Sequence, residues 1–120
     1  MNAITYDWLA WISTGSKEIL VPYFTQLLPD IGFNVVGYCE HNFQPHGFTS
    51  VWLLSESHLA IHAWPEHHKA RINLSSCSLE LFDAFVARLK SDKTLPYNVV
   101  VDGWSRPARD PNINLGSINE

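Results

Sequence analysis

The sequence predicts an α+β domain: a two-layer α/β sandwich in which an antiparallel sheet carries two helices on one face. Three observations predict it. Two stretches, Ile19 to Ile31 and Leu79 to Leu89, repeat apolar residues at helical spacing. Short β-prone runs lie around them, bounded by Gly, Pro, Ser and Asn and close enough in sequence to pair as hairpins. Hydrophobic residues make up 46% of the 120 and charged residues 17%, so one copy has too little polar side chain to cover itself and an apolar face is left for association.

The elements follow in order. Asp7 to Ser13 reads as a first strand, turned by Thr14-Gly15-Ser16. Ser16 is an N-cap for a first helix whose stripe is Ile19, Leu20, Tyr23, Phe24, Leu27, Leu28 and Ile31, with Gly32 as C-cap. Pro22 either kinks that helix or marks its true first turn. Phe33 to Glu40 reads as a second strand, His41 to Gly47 as a loop, Phe48 to Leu54 as a third strand, Ser57 to Ala63 as a fourth and Lys69 to Ser76 as a fifth. Ser78 caps a second helix with Leu79, Phe82, Phe85, Val86 and Leu89 on one stripe, and Tyr97 to Asp102 makes a sixth strand. After Trp104 the composition turns to Arg, Pro, Asn, Asp and Gly, which predicts an irregular tail over 105–120. No repeat or second domain interrupts 1–120.

Side-chain alternation predicts the faces of the sheet. Ala70, Ile72 and Leu74 point one way in the fifth strand, and Arg71, Asn73, Ser75 and Cys77 the other. In the fourth, Leu59 and Ile61 oppose His58, Ala60 and His62. Pairing these strands puts Cys77 and His62 on one polar side, with the helices over the aliphatic side. Trp52, Leu54 and Trp64 are expected to add large apolar groups to that polar side. The expectation is a homodimer, packed sheet to sheet in four αββα layers.

Charge and cysteine usage exclude several classes. A net charge of −4 with eight scattered Lys and Arg argues against nucleic acid. No run of ~20 apolar residues and no signal peptide is seen, so no membrane contact and a cytoplasmic location are expected. Cys39 and Cys77 form no C-x-x-C pair and are read as free thiols.

The stretch with most chemistry is L-S-E-S-H-L-A-I-H-A-W-P-E, Leu54 to Glu66. Ser57 follows Glu56 at a strand-turn-strand junction, where its hydroxyl can turn on the preceding carbonyl and begin an N-to-O acyl shift. By itself an E-S dipeptide marks an ordinary turn; with the residues around it, the backbone becomes a candidate substrate. A metal is the competing reading of His58, His62, His41, His46, His67 and His68, but the pair lacks the glutamate of an H-E-x-x-H helix, and no metal is expected. A lone cysteine such as Cys77 is usually a small buried hydrophobe, while beside His62 and Arg71 it becomes a candidate acid or nucleophile. Phe43 and Trp64 are by default core or interface aromatics. There is no glycine-rich phosphate loop and no G-x-S-x-G elbow.

Three features carry a resemblance to a known family: H-N-F-Q-P-H-G (His41 to Gly47), the Leu54 to Glu66 block, and Cys77 fifteen residues after His62. Together they resemble the small prokaryotic S-adenosylmethionine decarboxylases of polyamine biosynthesis. The resemblance implies a proenzyme that cuts itself between Glu56 and Ser57 into a β fragment (1–56) and an α fragment (57–120). Ser57 becomes a covalent pyruvoyl cofactor, to which the substrate is joined as a Schiff base. It also implies that His62 assists processing with Thr49, where relatives usually carry a serine, and that Cys77 is the catalytic acid. Phe43, Glu66 and Trp64 are expected at the substrate. The family's usual adenine-stacking aromatic has no equivalent at Ile12 or Ser13, so L-arginine or L-ornithine is the alternative substrate, with Glu66, Glu40 or Asp7 supplying negative charge.

Overall fold

The computed structural model describes residues 4–92, 99–101 and 106–109. The elements are β1 (Ile4–Ile12), α1 (Lys17–Ile31), β2 (Val35–Asn42), β3 (Phe48–Leu54), β4 (Ser57–Trp64), a 3-10 turn (Pro65–His67), β5 (Lys69–Ser76), α2 (Leu79–Ser91), β6 (Val99–Val101) and β7 (Arg106–Arg109). The strands pair antiparallel in the order β2-β3-β4-β5-β1-β6. β7 joins the same edge of β1 as β6, pairing Ile4–Asp7 while β6 pairs Ala10–Ile12. The α+β sandwich is therefore as expected, with corrections of extent: β2 runs over Val35–Asn42 rather than Phe33 to Glu40, because pairing with β3 as far as Asn42↔Phe48 draws His41 and Asn42 out of the expected loop. β1 begins three residues earlier than the apolar run that signalled it, and the irregular tail is a strand at 106–109, where backbone pairing with β1 overrides a composition poor in β-formers. Of the sixth strand, Val99–Val101 is described; the rest of that segment and of the tail lies outside the described residues.

Alternation builds the core. Trp8, Ala10 and Ile12 of β1, Phe48, Trp52 and Leu54 of β3, Leu59, Ile61 and Ala63 of β4, and Ala70, Ile72 and Leu74 of β5 all point to one side and are buried. α1 covers them with Leu20, Phe24, Leu27 and Leu28, and α2 with Phe82, Phe85 and Leu89. Phe85 sits at the centre: its ring lies 6.1 Å from Trp8, 6.1 Å from Phe24 and 6.4 Å from Phe33. Each such side chain stabilises the fold by about 1.5–3 kcal/mol on burial.

The expected placement of Trp52 and Leu54 on the polar side is corrected. Trp52 is 1% exposed beneath α1, its indole N–H donating to Thr25 Oγ1 at 3.2 Å, and Leu54 is buried likewise. In β3 the register Trp52↔Leu59 sets the even-numbered residues beside the odd-numbered ones of β4, so both belong to the core. Trp64 alone of the three is on the open face, 39% exposed.

The helices begin where the sequence puts them. Ser16 precedes α1 and its carbonyl accepts from Leu20 N–H at 2.9 Å, while Ser78 caps α2 by accepting from Leu81 N–H at 3.2 Å. Pro22 lies inside α1 rather than in its first turn. Gly15 abuts the turn after β4 so closely that a Cβ there would meet Pro65 Cα at 2.6 Å, which fixes the start of α1 against that turn.

Candidate active site

The Glu56-Ser57 bond lies at a two-residue hairpin turn. Leu54 and Ser57 are paired across it, leaving Ser55 and Glu56 exposed at the tip. The tip is anchored by Asn34, whose carbonyl accepts from Ser55 N–H at 3.0 Å and whose amide donates to Ser55 Oγ at 2.7 Å. Ser57 is partly buried on the helix side of β4. Its hydroxyl donates to Ser76 Oγ at 3.2 Å, in a cleft of about 140 Å³ lined by Gly32, Phe33, Ser55, Glu56, Ser78 and Leu81.

His62 occupies a different place. It is on the open face of β4, and its Nδ1 lies 3.0 Å from Thr49 Oγ1 of β3. The cross-strand row there runs His41, Thr49, His62, Arg71, Trp11. Ser57 is five residues away along β4, about 17 Å at ~3.3 Å per residue, and on the opposite face. The structure thus brings Thr49 and His62 together, while Ser57 is not beside them within one copy.

Cys77 is exposed and follows Ser76, the cross-strand partner of Ser57. It thus lies at the Ser57 end of the sheet, while His62 pairs with Arg71 at the other. Cys39 is also a free, exposed thiol. The proposed substrate contacts gather at the His62 end. Phe43 is 45% exposed, packs its ring 5.2 Å from His41, and with Lys17, His46 and Pro65 lines a cleft of about 510 Å³. Gly47 closes that loop at φ 103°, and a Cβ on it would meet Ala63 O at 2.9 Å. Glu66 is exposed in the 3-10 turn beside it.

Trp64 packs against Trp11, ring centroids 5.7 Å apart, and the Arg71 guanidinium lies 5.4 Å from the Trp11 ring. Trp11 was missed from sequence, where the search for an aromatic in this strand stopped at Ile12 and Ser13. Ile12 is buried, and one step of alternation from it would have found the open-face tryptophan.

Of the acids, Glu40 is engaged: it pairs with Lys17 and accepts from Tyr38 OH at 2.7 Å, and these partners hold its carboxyl below the usual range. Asp7 is on the open face, across from Ser75, itself across from His58. His58 and His62 are four residues apart on one strand, about 13 Å, too far to share one metal ion with bonds of ~2 Å. Among the described residues no three His, Cys, Asp or Glu are grouped to hold a metal, and no helix is long and apolar enough to cross a membrane.

The sandwich is that of a decarboxylase of known structure. The crystal structure of the adenosylmethionine decarboxylase from Aquifex aeolicus VF5 superposes with a TM-score of 0.56 over 99% of this chain and 100% of that one, at 20% identity. The family model described as S-adenosylmethionine decarboxylase matches residues 14–96, and the chain belongs to that family. An S-adenosylmethionine decarboxylase proenzyme from Clostridium botulinum (strain Langeland) is 34% identical over 79 residues, 64% of this chain and 67% of the relative. One from Sulfurihydrogenibium sp. (strain YO3AOP1) is 57% identical over 37 residues, 31% of this chain, and the match spans only 28% of that relative's length.

Proposed function

We propose that this chain is a self-processing decarboxylase of S-adenosylmethionine that makes its own pyruvoyl group from Ser57. The observation that carries the reading is the span of the family match, 14–96, which takes in Phe43, Thr49, the Glu56-Ser57 junction, His62, Glu66 and Cys77 together. The names of the relatives favour S-adenosylmethionine over the L-arginine or L-ornithine alternative.

The residues at the turn fit the chemistry. Ser57 Oγ adds to the Glu56 carbonyl carbon, the C–N bond between the two residues breaks, and the acyl group passes to oxygen as an ester with the Ser57 amine set free. Removal of the Ser57 Cα proton expels the Glu56 carboxylate from Cβ. The dehydroalanine so formed takes up a proton at Cβ to become an imine, which water hydrolyses, releasing ammonia and leaving a ketone at residue 57. The pyruvoyl group, once formed, supplies an electron sink for the pair released as CO2 leaves. Cys77, exposed at the same end of the sheet, delivers a proton to the substrate α-carbon. His62, held by the Thr49 hydroxyl, exchanges protons during processing.

The separation of the two groups argues for a homodimer. The open face carries Leu53, 54% exposed, with Val51, Trp11 and Trp64. It also holds Asn73 Oδ1, buried without a hydrogen-bond partner among the described residues. A second copy laid over it by a two-fold axis brings the Phe43, His62 and Glu66 end of one copy over the Glu56-Ser57 turn and Cys77 of the other, the Ser57 hydroxyl itself lying on the helix side of its strand. Each pocket then draws on both sheets.

Intact-mass spectrometry tests the core of this reading. Wild type breaks between Glu56 and Ser57 and its second fragment begins with pyruvoyl, while Ser57→Ala stays one chain. Full-length wild type that releases CO2 from S-adenosylmethionine after prolonged incubation overturns it.

A further inference from the structure

We infer that Ser76 is a positioning residue for the self-cleavage, fixing the direction in which the Ser57 hydroxyl offers its lone pairs. The inference rests on the self-processing reading above and adds to it a residue outside the sequence block. Ser76 is fully buried at the end of β5. Its hydroxyl has one proton and two acceptor positions, and all three are used. It donates to the Ser78 carbonyl at 3.2 Å, accepts from the Ser78 N–H at 3.0 Å, and accepts from the Ser57 hydroxyl at 3.2 Å. Because its proton is committed to Ser78, Ser76 can only accept from Ser57. Ser57 must therefore donate, which turns its own lone pairs away from Ser76 and leaves them for the Glu56 carbonyl carbon.

The frame holding Ser76 is rigid. Ser78 is the N-cap of α2, so the hydroxyl of Ser57 is oriented through Ser76 by the first turn of a helix whose other face is the core. With no free acceptor position and only a peptide carbonyl to pass a proton to, Ser76 is not the base. It selects one rotation of the Ser57 hydroxyl; once Oγ is bonded to the Glu56 carbonyl carbon its proton becomes acidic and passes to the Ser57 nitrogen as the C–N bond breaks.

The test compares cleavage rates of freshly made proenzyme, read by intact mass, for wild type, Ser76→Thr, Ser76→Val and Ser76→Cys. Thr and Val have one shape and differ in the hydroxyl. Ser76→Thr should cleave within about threefold of wild type and Ser76→Val about tenfold slower or more, the size of one lost hydrogen bond. Hydroxylamine, which intercepts the ester, should yield correspondingly less fragment from Ser76→Val. Ser76→Cys, close in volume but a weak acceptor, should also be slow and serves as the comparison should the valine variant misfold. Circular dichroism and melting temperature report folding separately. Equal cleavage rates in folded Ser76→Thr and Ser76→Val, or in folded Ser76→Cys and wild type, overturn the role of Ser76 and leave self-processing standing. Wild type that never breaks at Glu56-Ser57 removes both.

Discussion

Thr49 Oγ1 and His62 Nδ1 stand 3.0 Å apart on the open face of the sheet, five strand positions from the serine that His62 is proposed to help. The contact defines one ring nitrogen and leaves Nε2 directed away from Thr49. Whatever proton His62 exchanges, the hydroxyl sets how its ring is turned.

Replacing Thr49 by Val should therefore slow cleavage or turnover about tenfold, while Thr49→Ser stays within about threefold. Thr49 is partly exposed, so stability should change by less than about 1 kcal/mol in either variant. Mass spectrometry for the cut and CO2 release for turnover separate the two effects. Equal rates in Thr49→Val and Thr49→Ser would show that the contact has no part in either.

A second expectation follows from the placement of His62 and Ser57 at opposite ends of one sheet. Neither Ser57→Ala nor His62→Ala should process efficiently alone. Co-expressed, they should form mixed dimers in which the turn carrying the intact Ser57 meets the end of the sheet carrying the intact His62, so that the His62→Ala chain is cut. If its cleavage is the same with and without the Ser57→Ala chain, His62 acts within its own copy or not at all.

The dimer itself is open to a direct test. Leu53→Glu puts a charge on the open face without touching the core. Sedimentation should show dimer for wild type and a shift to monomer for Leu53→Glu, with CO2 release falling in parallel. A fully active Leu53→Glu monomer would refute the shared pocket.

Core and site should separate cleanly in stability. Phe85→Ala removes a ring that touches Trp8, Phe24 and Phe33 and should cost about 3–5 kcal/mol. Phe43→Ala, at an exposed loop, should cost less than about 0.5 kcal/mol yet raise KM for S-adenosylmethionine. Urea melts and steady-state kinetics on both variants decide it.

At high pH the fold should lose stability through Tyr23. Burial, with its 2.6 Å hydrogen bond to Asp92, raises its pKa well above the ordinary 10.0. The unfolded chain ionises first, so this contribution is complete below about pH 10 and is lost as pH rises beyond it. Tyr23→Phe should flatten the alkaline limb of a stability profile, and absorbance at the tyrosinate band should show one fewer late-titrating group in that variant than in wild type.

Much of this was legible in the chain because periodicity is a local property. Ser16, Ser78 and Gly32 mark helix ends by their own backbone chemistry, and alternation in β4 and β5 gives the correct faces. Trp52 and Leu54 were misplaced because the face of β3 depends on its register with β4, a relation between strands that neither strand carries by itself. Strand 106–109 was invisible for the same reason: Arg-Pro-Ala-Arg has no strand pattern, and only the free edge of β1 recruits it. Ser76 was passed over because its meaning lies in a contact nineteen residues away.

The strand order has a consequence for the chain that the proposed self-cleavage would leave. A cut after Glu56 assigns β1, α1, β2 and β3 to one piece and β4, β5, α2, β6 and β7 to the other, yet β1 lies between β5 and β6. The pieces are interlaced like the fingers of two hands, and they meet along β3 with β4 as well as on both edges of β1. Separating them means undoing several ladders and opening the common core. The severed molecule is thus a self-locking split protein. Chains 1–56 and 57–120 made separately should find each other only slowly, because before the cut the hairpin holds them at the high effective concentration of a short tether.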